Sequence, residues 1–475
     1  MLFASSELSA PTPDLQQLLT VGHLPNSQEL KQLLAVVSGF TFLSELDLSS
    51  KNIGNSSRET QIEQLRGVIR ELPSLTTINL SRNRLGPTCS DDHDSSDSDD
   101  SDYSKHSMRR IELRAQGDFS DFSGLSNAIT GRPSLTSLDM SANYIPYEYV
   151  AVLGLDKLSL RSLNLGSNSF GYLGMRKIAS HLPSLSSSLT SLDLSKNIVG
   201  DFHACSKELA HGLMALTNLT SLNLGTNNIK DFSDLTPVFK SLTKLMRLDL
   251  TGNFFNLRNM QLLSPAIEDH PSLSSLCLGK PKEGMGVEGI RVLAPAIVSL
   301  RLLSELDISD HKIGPEGVQI LNKAIIDKTG LTSLNLGSNN VDSKGIQNLL
   351  PTILALTNLS KLCLLKNAVD EQTARAFLKH PCLTWYYPTE SQKKPSESLF
   401  TLLMRSFRLI ELERIAMETL DLSNGVQGLV KAVQWSGELL LIYHYQDYII
   451  IRSGREAVFK ITRQKKNTCG RRAHI

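Results

Sequence analysis

Residues Leu331–Asp342 read LTSLNLGSNNVD, and a twelve-residue phrase of this pattern recurs along the chain. LTTINLSRNRLG runs from Leu75, LRSLNLGSNSFG from Leu160, LTSLDLSKNIVG from Leu189 and LTSLNLGTNNIK from Leu219. With degenerate copies, the phrase starts at positions 43, 75, 108, 135, 160, 189, 219, 245, 273, 303, 331 and 359. Its first, fourth and sixth positions are apolar in every copy, which a chain of 40% apolar residues does not produce by chance. Side chains alternate along a strand, so residues four and six share the buried face and the residues between them face solvent.

The ninth position is Asn in eight copies: Asn83, Asn143, Asn168, Asn197, Asn227, Asn253, Asn339 and Asn367. A buried amide both donates and accepts, so it can satisfy backbone groups freed where the strand turns away. Lys51, Gln116, Pro281 and His311 stand in that column instead and predict local interruptions of the amide ladder. His311, with no ligand-type neighbours in sequence, reads as a substitute ladder residue.

Helical spacing fills the intervals, as in GIRVLAPAIVSL (289–300) and GIQNLLPTILAL (345–356). Pro237, Pro265, Pro295 and Pro351 each precede the next phrase by eight residues and are expected to end or kink those helices. Phrases recur every 25 to 33 residues, one strand and one helix per repeat. Strands stack at about 4.8 Å and helices at about 10 Å, so the array must curve with the strands inside. The expected fold is α/β: a curved solenoid of about 12–13 repeats, with a parallel concave sheet, convex helices and a small α+β C-terminal appendage.

The phrase and its period resemble the ribonuclease-inhibitor class of leucine-rich repeats over residues 43–387. That resemblance implies an intracellular protein that binds protein partners. The Ser/Asn/Gly-rich variant LTSLNLGSNN also resembles leucine-rich-repeat effectors that intracellular bacterial pathogens deliver into host cells, which implies a host protein as partner.

Residues 1–42 carry no phrase; Asn26-Ser27-Gln28-Glu29 reads as a capping box opening a helix that shields the first repeat. At the other end LTWYYP (383–388) begins a thirteenth phrase and reads as a terminating cap. Seven Asp within residues 91–102 mark an acidic, disordered insertion over 88–106. The spacing of a calcium loop is absent there, while Ser96 followed by Asp99 suits an acidophilic kinase. Residues 388–475 read as a linker, an amphipathic helix around Leu399–Met417, strands with a hairpin at Ser453-Gly454, and a basic tail.

Lys+Arg 49 against Asp+Glu 48 gives a net charge of +1 and no global pull toward nucleic acid. The N-terminus shows no secretory leader and no run spans a membrane. Six scattered cysteines form no disulfide framework or zinc site, so a reduced, cytoplasmic and monomeric protein without metal or cofactor is expected. Gly284-Met285-Gly286-Val287-Glu288-Gly289 spells a dinucleotide fingerprint, but Gly289 shares a repeat slot with Gly317 and Gly345 and reads as structural. No catalytic constellation stands out, and neither Cys382 nor Cys469 fits the Cys-x-Asp of effector ubiquitin ligases.

The outward fifth column is Asp47, Asn79, Glu112, Asp139, Asn164, Asp193, Asn223, Asp249, Cys277, Asp307, Asn335 and Cys363, a polar and mildly acidic face. Cys277 and Cys363 lie three strands apart, about 14 Å, too far to bridge. Candidate partner-binding residues are the departures from consensus: Arg110, Arg114, Arg247, Glu305, Asp307 and Asp310, and the loop tyrosines Tyr144, Tyr147 and Tyr149. Phe255 sits in an apolar slot and reads as core. The function expected is a protein-interaction scaffold rather than an enzyme; the alternatives are an unrecognised activity in residues 388–475 and a membrane-surface adaptor.

Overall fold

The computed structural model describes residues 37, 42–51, 53, 58–86, 120–168, 170–197, 205–377 and 385–387, and four strands within 428–462. The predicted cap over 1–42, the insertion, Arg110 and Arg114, the 399–417 segment and the basic tail lie outside them.

Twelve three-residue strands form one parallel sheet in strict sequence order. They are β1 (Glu45–Asp47), β2 (Thr77–Asn79), β3 (Ser137–Asp139), β4 (Ser162–Asn164), β5 (Ser191–Asp193) and β6 (Ser221–Asn223). β7 (Arg247–Asp249), β8 (Ser275–Cys277), β9 (Glu305–Asp307), β10 (Ser333–Asn335), β11 (Lys361–Cys363) and β12 (Trp385–Tyr387) complete it. Each phrase's fourth residue sits opposite its counterpart, as in Leu222↔Leu248 and Leu306↔Leu334. Those leucines and their sixth-position neighbours are buried in one continuous core. A strand that pairs only with its sequence neighbours, and buries one face on a helix wider than itself, gives the open, curved solenoid.

One expected copy is not in the series. β2 pairs directly with β3, Thr77↔Ser137 through Asn79↔Asp139, so the phrase from Met108 does not lie between them. Taking out residues 87–119 leaves a repeat of twenty-seven residues, within the range of its neighbours. Met108, Ile111 and Leu113 matched the apolar positions, but the ninth position of that copy holds Gln116, one methylene longer than the Asn of the ladder.

Ten helices among the described residues back the sheet: α1 (Arg58–Glu71), α2 (Ser120–Thr130), α3 (Gly171–His181), α4 (Ser206–Met214), α5 (Thr236–Ser241), α6 (Leu257–Ile267), α7 (Gly286–Ser299), α8 (Gly314–Ile325), α9 (Ser343–Ala355) and α10 (Glu371–Phe377). None is long and apolar enough to cross a membrane. Of the two outcomes expected of the prolines, termination at the proline itself does not occur. Pro265, Pro295 and Pro351 lie inside α6, α7 and α9, which run two to four residues further, and Pro237 lies in the first turn of α5. A proline near a helix end breaks one backbone bond and leaves the last turn to close behind it.

Gly289, Gly317 and Gly345 hold one slot for a packing reason. A Cβ there would lie 2.3, 2.6 and 2.7 Å from the side chains of Met285, Ile313 and Val341, the buried residues four positions earlier. The fingerprint-like spacing is thus helix packing. Toward the C-terminus, β13 (Gly428–Trp435), β14 (Glu438–Tyr445), β15 (Tyr448–Ser453) and β16 (Glu456–Thr462) form an antiparallel meander. The hairpin expected at Ser453-Gly454 joins β15 to β16, where Ser453 pairs with Glu456, and β13 is a strand that the sequence pattern had not marked.

Candidate functional site

Three hydrogen-bonded columns build the strand side of the solenoid. In the first, each ladder residue's backbone N–H donates to the Oδ1 of the next Asn, at 2.8 to 3.1 Å, along Asn83, Asn143, Asn168, Asn197, Asn227 and Asn253. Each amide nitrogen donates to the sixth-position carbonyls of its own and the preceding repeat, as Asn227 does to Leu224 and Leu194. The expected interruptions mostly do not occur. Lys51 still donates its N–H to Asn83, and Asn83 passes straight to Asn143 without Gln116.

His311 takes over part of the Asn role. Its backbone N–H donates to Asn339, its Nδ1 accepts from Met285 N–H and its Nε2 reaches Leu278 O at 2.9 Å. With Nδ1 accepting, Nε2 carries the proton. Burial pushes the pKa down to about 4, against the raising effect of the Leu278 carbonyl. Only at Pro281 does backbone pairing take over, Lys282 N–H donating to Asn253 O.

The ladder holds a turn that would otherwise be strained. The eighth position is left-handed in Ser50, Arg82, Ala142, Ser167, Lys196, Thr226, Lys280, Asp310, Ser338 and Lys366, with φ between 50° and 67°. Such a backbone costs roughly 1 kcal/mol or more per non-glycine residue, and the buried amide bonds beside it offset that.

The second column is the outward fifth position. Each carboxylate or amide accepts from the N–H two residues on, and Asn164, Asn223 and Asn335 donate across to Asp139, Asp193 and Asp307. Asp307 is therefore engaged on both oxygens, by Ser309 and Asn335. Cys277 stands among Asp249, Asp307 and Glu305; burial first, and then those charges, push its thiol up to about 12. Burial also raises Cys363. Burial thus disfavours the thiolate of both, and β9 and β10 separate the two strands that carry them.

The third column, at position two, was not singled out in the sequence. Thr76, Thr136, Thr190, Thr220, Ser274, Ser304, Thr332 and Ser360 each donate their hydroxyl to a preceding repeat's carbonyl. Arg161 and Met246 break this column and are exposed, Met246 at 49%. The signal was available: a Ser/Thr column with two departures.

Beside Met246, Arg247 reaches over β8 to Glu305, Nη2 to Oε2 at 2.6 Å. The Ser275 hydroxyl donates to the same oxygen at 2.8 Å. Burial favours the neutral carboxyl of Glu305, but the bonds from Ser275 and Arg247 outweigh it and hold the pKa below its ordinary value. Leu302, two residues before the β9 phrase position that aligns with Met246, is 59% exposed. Met246 and the Arg247–Glu305 pair thus lie where the strands begin, and Leu302 is exposed just ahead of β9. Asp310 is exposed in its left-handed turn, away from that ion pair in the repeat.

The tyrosine loop divides. Tyr144 is 53% exposed at φ 55°, and Tyr147 is half-buried with the Lys177 ammonium 5.3 Å from its ring centre. Tyr149 is buried against Phe122, ring centres 4.7 Å apart, so it belongs to the core and offers a partner nothing. Phe255 is buried as its slot required, packed on Phe232 and His311.

The leucine-rich repeat family model matches residues 157–179, 299–321 and 329–350. No curated protein matches the sequence. Among solved structures, the chain is similar to an internalin, InlF, from Listeria monocytogenes, at 17% identity over 82% of this chain and 100% of that one, TM-score 0.40. It is similar to the leucine-rich repeat-containing protein LegL7 from Legionella pneumophila at 19% identity, over 78% and 95% of the chains, TM-score 0.37. A TLR13–ssRNA13 complex matches at 20% identity over 71% and 41%, TM-score 0.40. With the family's repeat matched at three places in the sequence, and strand, amide ladder and helix recurring through the sheet, the chain carries leucine-rich repeats stacked as a solenoid.

Proposed function

We propose that the solenoid captures a protein partner at the strand-start patch of Met246, Arg247, Leu302 and Glu305, and acts by binding rather than catalysis. Leucine-rich-repeat folds generally mediate protein–protein interaction. The observation that carries this reading is the exposed Met246 beside a preformed Arg–Glu pair, with Leu302 exposed ahead of β9, on a sheet whose third phrase position is mostly Ser or Thr. Arg and Met are enriched in interfaces, and Ser is depleted. Tyr144 and Tyr147 supply a second contact where β3 ends and Asp310 a separate one beyond β9, while Asp307 supports the sheet.

On the resemblance of its repeat phrase to bacterial effectors, the proposed partner is a protein of the host cytosol, met by a monomeric, cytoplasmic chain. Affinity capture from cytosol with the full chain, read by mass spectrometry, tests this. A partner retained by the wild type and reduced at least tenfold by Met246→Ala/Arg247→Ala is the expected result. Equal retention by the double variant overturns the site, and a chain that captures nothing overturns the reading.

A further inference from the structure

Leu173, Arg176, Lys177 and Ser180 fall in one stripe of α3, at helical positions i, i+3, i+4 and i+7. Met175, Ile178 and Ala179 of the same helix are buried in the core. Across from the stripe, α4 presents Lys207, Glu208 and His211. The two helices meet at Ala179 and Gly212, where a Cβ on Gly212 would lie 2.4 Å from the Ala179 carbonyl oxygen. Contact that close leaves no side chain at Gly212 to fill the space above it. A groove of about 750 Å³ results, with Leu173, Ala179 and Pro183 as its apolar lining.

The charge of this groove is one-sided. Arg176, Lys177 and Lys207 line it against the single carboxylate of Glu208. Arg176 Nε holds that carboxylate at 3.1 Å, with both side chains about half exposed. A pair so exposed contributes little, so Arg176 can exchange Glu208 for a carboxylate brought from outside. Most of the lining residues are exposed, which makes the groove an open trough suited to a length of chain rather than an enclosure for a small molecule. No aromatic ring among the described residues lines it, so a nucleic acid would find charge there but nothing on which a base stacks.

We propose that this groove binds an acidic peptide segment of a partner protein, with carboxylates on Arg176, Lys177 and Lys207 and an apolar side chain against Leu173 and Pro183. Charge complementarity selects the occupant, since the groove offers three cations, one carboxylate and an apolar floor. It lies on the helix side of the solenoid and Met246 and Arg247 on the sheet, so this contact is additional to the strand-start patch and is tested apart from it.

Fluorescence anisotropy of a fluorescein-labelled peptide of Glu and Leu, titrated with the full chain, tests this. Arg176→Gln/Lys207→Gln is expected to weaken binding at least tenfold, and Glu208→Gln to tighten it at least threefold. Ser180→Trp, which fills the groove and leaves every charge in place, is expected to weaken binding at least tenfold. All four positions are exposed, so melting temperatures are expected to stay within a few degrees of the wild type. Equal binding of a Gln and Leu peptide overturns the proposal, as does a wild-type chain that binds neither. Undiminished binding by Ser180→Trp also overturns it, because charge alone would then account for the attraction. Displacement of the labelled peptide by polyuridylate at a lower concentration than by unlabelled peptide overturns it by assigning the groove to nucleic acid.

Discussion

Asn83 donates its backbone N–H to the Oδ1 of Asn143 at 2.8 Å, although sixty residues separate them. The two asparagines are successive rungs, and the long interval between them holds one helix and residues 87–119. Deleting 87–119 therefore removes no described rung, strand or core residue. Circular dichroism is expected to show a folded chain melting within a few degrees of the wild type. A loss of cooperative unfolding would show that these residues belong to the repeat series.

Asn227 satisfies the N–H of Asn197 and the carbonyls of Leu194 and Leu224 inside the fold. Asn227→Ala leaves these groups buried without partners. At about 1 kcal/mol or more for each, the expected loss is roughly 3 kcal/mol, measured by urea unfolding. Because each repeat leans only on its neighbours, hydrogen exchange should rise first in the repeats beside it.

His311 makes the solenoid acid-sensitive at one rung. Its folded pKa of about 4 lies below its ordinary 6.5, so the unfolded chain binds the proton more readily between those values. Stability from this site is complete above about pH 6.5 and declines as pH falls toward 4, by roughly 3 kcal/mol in all. Protonation puts a second N–H on Nδ1, against the Met285 N–H that it accepts. His311→Asn is expected to keep the rung and flatten the melting temperature over that range. An equally steep profile in the variant would assign the acid sensitivity elsewhere.

Tyr144 and Tyr149 should separate binding from folding. Tyr149→Ala opens a cavity against Phe122 and is expected to cost about 3–5 kcal/mol. Tyr144→Ala alters an exposed side chain and should change stability by about 0.5 kcal/mol or less while weakening a captured partner. Melts and capture of the two single variants check this; a large stability loss in Tyr144→Ala would move it into the fold.

The Arg247–Glu305 pair is solvent-screened, with side chains 59% and 37% exposed, so it contributes under about 1 kcal/mol to folding. A double-mutant cycle with Arg247→Ala and Glu305→Ala should show weak coupling in stability and stronger coupling in partner affinity. Coupling confined to stability would make the pair a brace across β8 only.

The repeat, its parallel order and its buried leucines were legible in the residues, because a strand-helix unit too small to fold alone must repeat its apolar positions in sequence. The ninth-position Asn and the structural role of His311 were legible for the same reason: a ladder is a column. Columns also misled, since Met108, Ile111 and Leu113 imitate a phrase; only the pairing of Thr77 with Ser137 shows that no strand intervenes. Which tyrosine of three is buried, and that Arg247 spans two strands to Glu305, depend on side-chain directions and inter-strand distance, which no spacing along one chain encodes. The sequence determined what repeats; the stacking of one repeat on the next decided which departures from the pattern meet each other and which are left facing solvent.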